Sequence, residues 1–360
     1  MYLSDRSGVV TPKHNEYTAG RPAPPDKAAR EELVSHAPGM LVLDPIERDQ
    51  LRELADGLTA SPSATPERFC HESSLAAKRL PDSLWDRLRG FARAGSAEGL
   101  LVIEGLPVDE DLPATPPDNT KHVGETTVLA RAQAVVNHAL GDMVAYEAEG
   151  HGRLFQDMVP KRSAARTQTS LSSGVELELH TEQAFSLMRP DWVSLACLRD
   201  APDAATYALA ARDLVAALES GEVEMLREAL WTTGVDASFR VSGHAFVHGD
   251  RRGPLAIIKG ANEDPSIRFD QDLDWGISPE ANALCARIVE VYPRLRRERV
   301  LKPGQMLLID NHRVVHGRSP FTARFDGTDR FIVRSFVVRD LSRSRHARTA
   351  DGRVIAARHS

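Results

Sequence analysis

The sequence predicts a mainly β protein with flanking helices, its strands forming a barrel or jelly roll. Two observations carry this. Helical periodicity crowds the early part of the chain, and short apolar runs then recur at irregular spacing, with helices inserted between some of them. One of these runs, Val175-Glu-Leu-Glu-Leu-His-Thr-Glu182, alternates strictly between apolar and polar residues, the mark of a strand with one polar face. A doubly wound sheet, which needs strands and helices to alternate throughout, does not fit.

Residues 1–28 are polar and hold Pro12, Pro22, Pro24 and Pro25, so they read as an irregular leader. Asp44 to Leu58 is a helix, with Leu51, Leu54 and Leu58 at helical spacing and Asp44 before Pro45 as its start signal. Asp82 to Ala94 is a second helix. Gly99 to Gly105 is a buried strand between glycines, and Thr126 to Leu140 a helix with an apolar face. Short strands are expected at Val144–Tyr146 and Arg153–Phe155, and a polar loop at 161–173. Strands follow at Trp192–Leu198, Leu255–Lys259, Gln305–Asp310 and Arg330–Val338. Helices are expected at Thr206–Leu218, Val223–Leu230 and Pro279–Tyr292. The stretch from Phe239 to Pro254 suits hairpins or a mobile loop. Residues 29–340 make one domain, and the arginine-rich segment 341–360 reads as a solvated tail.

The 360 residues are 42% hydrophobic, enough for a sizeable core. A net charge of -6 argues against nucleic acid or an acidic membrane as partner. Cys70, Cys197 and Cys285 are too few and too scattered for a disulfide framework or a Cys-x-x-Cys metal site. With no apolar signal core and no membrane-length apolar run, a cytoplasmic setting is expected. Nothing in the sequence sets an oligomeric state.

His180 and Glu182 lie two residues apart, so an extended segment aims both at one face. A third metal ligand is sought downstream, at His316 in Val-Val-His-Gly-Arg318, with His312 as its rival. Two histidines and one carboxylate on one face of a metal form the facial triad of non-haem iron oxygenases. Gly317 lets the backbone approach a bound group. On the last strand, Arg330, Ile332, Arg334 and Phe336 share a face by period two. If that face points inward, two arginines in an apolar interior need two anions. If Val333, Ser335 and Val337 point inward instead, both arginines face solvent.

Together these residues resemble the clavaminate synthase-like group of Fe(II)/2-oxoglutarate dioxygenases. The likeness runs from about residue 140 to 340. It rests on Gly152-Arg-Leu-Phe-Gln-Asp-Met-Val-Pro160, Ser172 to Glu182, Arg189-Pro-Asp-Trp-Val193 and Asp310 to Arg334. Within the group the chain looks most similar to hydroxylases of free amino acids, such as the viomycin-pathway arginine hydroxylase and asparagine oxygenase. The resemblance implies a double-stranded β-helix, with Fe(II) on His180, Glu182 and His316. It implies that Arg330 and Thr206 bind 2-oxoglutarate, although Thr206 equally suits a helix cap. It also implies that O2 is the co-reactant and that Arg334 holds the substrate α-carboxylate. Glu149, with Glu147 as rival, falls where these enzymes contact the substrate amine, and Ser170 where one contacts substrate. Asp270 and Asp272 match an acidic pair that grips a cationic side chain, but would equally suit an acidic surface turn.

The expected activity is therefore hydroxylation of a free L-amino acid, arginine or a related basic one, in specialised metabolism. Desaturation by the same cofactors is the near alternative. A non-catalytic metal-binding jelly roll and a cupin-type hydrolase are the alternatives from other classes. Glu182 speaks against halogenation, since related halogenases lack that carboxylate and bind halide in its place.

Overall fold

The computed structural model describes residues 39–236, 250–348 and 352–359. The expected leader at 1–28 and most of the stretch 239–254, expected as hairpins or a mobile loop, lie outside them. Strand β1 (Met40–Val42) leads into helix α1 (Pro45–Asp56). There Asp44 accepts from the Glu47 amide and Glu47 accepts from the Asp44 amide, a reciprocal cap followed by proline. Helices α2 (Pro66–Ala77) and α3 (Asp82–Ala94), strand β2 (Leu100–Glu104) and helix α4 (Val128–Leu140) follow. Sequence periodicity missed α2. Its buried face mixes Phe69 and Cys70 with Ser73, Ala76 and Ala77, and the Thr65 side chain caps no amide of its first turn.

The β-rich part begins with β3 (Asp142–Tyr146), β4 (Gln156–Met158), β5 (Leu177–His180), β6 (Trp192–Arg199) and β7 (Thr206–Ala210). Next come α5 (Ala211–Ala217), α6 (Ser220–Arg227), β8 (Trp231–Gly234), β9 (Arg251–Leu255), β10 (Ile258–Lys259), β11 (Ser266–Ile267) and β12 (Asp274–Gly276). Helix α7 (Pro279–Leu295) precedes β13 (Arg297–Arg299), β14 (Met306–Asp310), β15 (Val314–Arg318), β16 (Phe331–Val338) and β17 (Val354–Ile355).

Two sheets position the site. The larger runs β1-β2-β14-β6-β16-β3-β17, with β4 also on β16; the smaller runs β13-β7-β15-β5. Alternation along each strand sorts side chains into layers. On β16, Phe331, Val333 and Val337 join the core under α1–α4, whereas Ile332 and Phe336 join a second core that includes Ala208 of β7 and Val314 of β15. Tyr207, Leu209, Val315 and Leu179 face a third core with α5–α7. Helices thus cover the outer face of each sheet, and the inner faces meet. All eight β16 residues are buried, so the sequence's choice between two faces dissolves: both are covered, and Arg334 lies on the inner one with Ile332 and Phe336.

Four sequence expectations are corrected. Thr206–Leu218 is not one helix: Thr206–Ala210 pairs with both β13 and β15 before α5 starts, so Thr206 opens a strand and caps no helix. The strand expected at Arg153–Phe155 forms at Gln156–Met158, where β16 offers a partner. The run Leu255–Lys259 splits between β9 and β10. The basic tail is not simply solvated. Val354-Ile355 pairs in parallel with β3, and Ile355 and Ala357 are fully buried, since this stretch is apolar between its arginines. No helix among the described residues is long and apolar enough to cross a membrane.

Candidate active site

The β5–β15 pairing sets His180 directly opposite His316, with ring centroids 4.4 Å apart. A register shift separates this pair from the Arg318–Leu177 pair. The alternation read from sequence breaks there. Leu179 joins the outer core, but Leu177 lines the interior beside His180. Gly317 also allows a close approach between strands: a Cβ there would stand 2.6 Å from the Leu177 carbonyl oxygen of β5.

Glu182 does not share a strand face with His180, because β5 ends at His180. It reaches the site through a turn in which Gln183 adopts φ 52°. Two groups hold this turn. Thr181 donates its amide to the Phe269 carbonyl at 2.7 Å, and buried Asn311 brackets Glu182 itself, accepting from its amide at 2.8 Å and donating to its carbonyl at 3.0 Å.

Ligand atoms of His180, Glu182 and His316 all lie within 4.8 Å of one another. The His180 Nδ1 sits 2.8 Å from the Glu178 carbonyl and so carries the proton, leaving Nε2 as a lone-pair donor. Burial, with His180 and Arg334 close by, holds His316 far below the ordinary imidazole range, so this ring is a neutral donor. Its buried Nδ1 has no hydrogen-bond partner among the described residues. Two imidazoles and a carboxylate, converging from one side, fit a divalent transition ion such as Fe(II). His312 stands outside this group: its Nε2 bonds the Asp191 carboxylate at 2.7 Å and its Nδ1 lies 3.0 Å from Arg189.

Two cavities border His180 and Glu182. The smaller, about 60 Å³, is lined by His316, Thr206, Arg318 and Arg330 among others. Arg330 is buried and pulled down to about 10 by that burial, and among the described residues no carboxylate pairs with it. Arg318, unremarked in the sequence, lies beside it and donates to Ser172 Oγ at 2.9 Å. Burial, with the charge of Arg330, pulls Arg318 down to about 9.

The larger cavity, about 340 Å³, has Arg334, Glu149, Gln156 and Gln183 on its wall, together with Ser170, Asp270 and Asp272. Arg334 donates to Glu182 Oε2 at 3.1 Å, to Gln156 Oε1 and to Glu149 Oε1. Burial pushes the Glu149 carboxyl up against the opposing pull of Arg334. Glu147, its sequence rival, bonds the Ala357 amide instead. Asp270 and Asp272 do not lie on an extended segment. They share a turn in which Asp270 Oδ1 accepts the amides of Asp272 and Leu273, yet both still line the cavity. Burial, with Asp274 and Asp236, raises the Asp270 carboxyl well above the usual range. Ser170 borders both cavities. The sequence reading missed Gln156, Gln183, Asn311 and Arg318, although each sits inside or beside a motif it had marked.

A mainly β core between helical layers, with a His/Glu/His group at the mouth of paired cavities, is the architecture of a dioxygenase. The chain belongs to the taurine catabolism dioxygenase TauD, TfdA family, whose sequence profile matches residues 96–336. It is 52% identical over 340 residues to an L-lysine 3-hydroxylase of Catenulispora acidiphila, covering 92% of this chain and 95% of that one. A solved asparagine oxygenase holding Fe(II), 2S,3S-3-hydroxyasparagine and succinate superposes with a TM-score of 0.81 at 30% identity, over 89% of this chain and 99% of that one. The non-heme iron oxygenase OrfP, solved with Fe, succinate and (3R,4R)-dihydroxy-L-Arg, gives 0.77 at 27% identity, over 88% and 99% of the two chains.

Proposed function

We propose that this enzyme is an Fe(II)/2-oxoglutarate-dependent hydroxylase of a free basic L-amino acid, with L-lysine the first candidate. One observation carries the reading. The larger cavity touches His180 and Glu182, and its wall holds both a buried arginine, Arg334, and an acidic group, Asp270 and Asp272. An amino acid needs an anchor for its carboxylate, and a basic one also needs a counter-charge for its side chain. The 52% identity to a lysine 3-hydroxylase supports lysine over arginine. The two facing sheets are read as a double-stranded β-helix.

In this reading His180, Glu182 and His316 hold Fe(II). Arg330 pairs with the distal carboxylate of 2-oxoglutarate in the smaller cavity, beside Thr206. With O2, iron and 2-oxoglutarate supply the oxidative decarboxylation to succinate that is coupled to C–H hydroxylation. The chain's own work is placement. Arg334 binds the substrate α-carboxylate, Glu149 faces the α-amine, and Ser170 lies along the bound substrate. Asp270 and Asp272 hold the cationic end, so that one C–H stays near the metal.

The test is succinate release, with Fe(II) and O2, across lysine, ornithine, arginine and asparagine. Coupling confined to the basic amino acids, with a product that has gained one oxygen, supports the reading. Equal coupling to asparagine would sink the role of Asp270 and Asp272.

A further inference from the structure

Gln156 and Gln183 are 2% and 6% exposed and face the larger cavity. Each has one end fixed by a charged partner. A guanidinium offers only donors, so the end of Gln156 that meets Arg334 Nε at 3.1 Å is its carbonyl oxygen. A carboxylate accepts, so the end of Gln183 that meets Glu149 Oε2 at 2.7 Å is its amide nitrogen. The opposite ends are then determined: Gln156 presents an N–H donor and Gln183 a carbonyl acceptor. Neither has a partner among the described residues. Burying two unpaired polar atoms is costly unless a ligand completes them.

The fold makes room for this arrangement. Gly150 adopts φ +57°, and a Cβ there would stand 2.2 Å from the Gln156 side chain. Gln183 itself lies in the left-handed region. Both carboxamides join one buried chain of contacts, Gln156–Arg334–Glu149–Gln183.

We propose that Gln156 and Gln183 complete the clamp for the amino-acid head group. The Gln156 amide donates to the α-carboxylate beside Arg334, and the Gln183 carbonyl accepts from the α-ammonium beside Glu149. One unpaired donor and one unpaired acceptor are the complement of a zwitterion, which carries an acceptor group and a donor group on one carbon. Gln156 is also a positioning residue, since its oxygen sets the direction of the Arg334 guanidinium. This inference rests on the amino-acid reading above.

The experiment is anaerobic calorimetric titration of the Fe(II)/2-oxoglutarate enzyme with three ligands: L-lysine, 6-aminohexanoate, which lacks the α-amine, and cadaverine, which lacks the carboxylate. Hydrogen bonds to charged groups imply losses of roughly tenfold or more. Gln183→Met should weaken lysine by that factor and leave 6-aminohexanoate unchanged. Gln156→Met should weaken lysine and 6-aminohexanoate and leave cadaverine unchanged. Two further variants separate clamp from fold, with thermal melts confirming folding. Gln156→Glu keeps the oxygen facing Arg334 but removes the donor, so it should still lose lysine. Gln183→Glu keeps an acceptor, so it should still prefer lysine to 6-aminohexanoate. Equal losses for all three ligands in the Met variants, with lysine well bound by the wild type, would overturn the clamp and leave the amino-acid reading intact. Failure of the wild type to bind any basic amino acid would overturn both.

Discussion

Asn311 grips Glu182 by its backbone, accepting from the Glu182 amide at 2.8 Å and donating to its carbonyl at 3.0 Å. A third bond, to the Pro190 carbonyl at 2.9 Å, ties the same amide to the next strand's approach. Asn311 is fully buried, so the carboxylate facing His316 is aimed by a residue that never touches it. Removing the side chain leaves three buried backbone groups unpaired, at about 1–3 kcal/mol each before relaxation. Asn311→Ala should lower the melting temperature and weaken Mn(II) binding by roughly 10–100-fold, the usual range for a residue supporting a ligand. Asn311→Asp, which keeps only the accepting oxygen, should fall between. A variant that melts early but binds Mn(II) normally would show that Asn311 serves stability alone.

Arg330 and Arg334 should separate kinetically. Arg330 lines the smaller cavity and pairs with no carboxylate among the described residues, whereas Arg334 is surrounded by Glu149, Gln156 and Glu182 beside the larger one. Arg330→Ala should raise the KM for 2-oxoglutarate by roughly a hundredfold and move the amino-acid KM little, the loss of a charge-assisted pair at about 1.5–3 kcal/mol. Arg334→Ala should do the reverse and also leave Glu149 buried without its cation. Steady-state kinetics with each substrate varied in turn would decide it. A rise in both constants for both variants would contradict the division of cavities.

His138, in α4, gives a pH prediction away from the site. Burial lowers its imidazole to about 4, and the nearby Arg353 pulls in the same direction. The Nδ1 contact with the Ala134 carbonyl at 2.9 Å and the charge of Asp142 oppose that shift. The unfolded chain takes up this proton near pH 6.5, and the folded protein does not until about 4. The contribution of His138 is therefore fully present above pH 6.5 and is lost as pH falls toward 4, by up to about 3 kcal/mol. His138→Leu should flatten the acid limb of a melting-temperature profile between those values. Parallel limbs for wild type and variant would refute it.

The two histidines that face each other across β5 and β15, and Arg330 and Arg334, could be marked in the sequence because each falls in a short motif. Their setting was less so. Period two placed His180 correctly, but it also put Glu182 on the same strand, whereas a turn held by Asn311 and Phe269 delivers it. The run from Thr206 is apolar enough for either helix or strand, and only pairing with β13 and β15 decides it. Arg318, Gln156 and Gln183 became visible only when the sheets met, since their roles depend on partners up to 178 positions away.

The two histidines meet where β5 and β15 pack most closely. Gly317 follows His316 on β15, where a Cβ would stand 2.6 Å from the Leu177 carbonyl oxygen, 3.2 Å from the Tyr292 hydroxyl and 3.4 Å from the Glu178 carbonyl oxygen. Two of these neighbours are backbone of β5 and cannot rotate aside. Gly317→Ala must therefore push β5 and β15 apart just where His180 faces His316. Overpacking of this kind costs about 1–3 kcal/mol. The same displacement widens the gap between the imidazoles. Gly317→Ala should thus lose Mn(II) affinity out of proportion to its loss of stability. A comparable overpacking change in the helical layer, Ala134→Val on α4, should lower the melting temperature alone. Equal metal affinity in the two variants at matched stability would show that β5 and β15 tolerate the strain without moving the ligands.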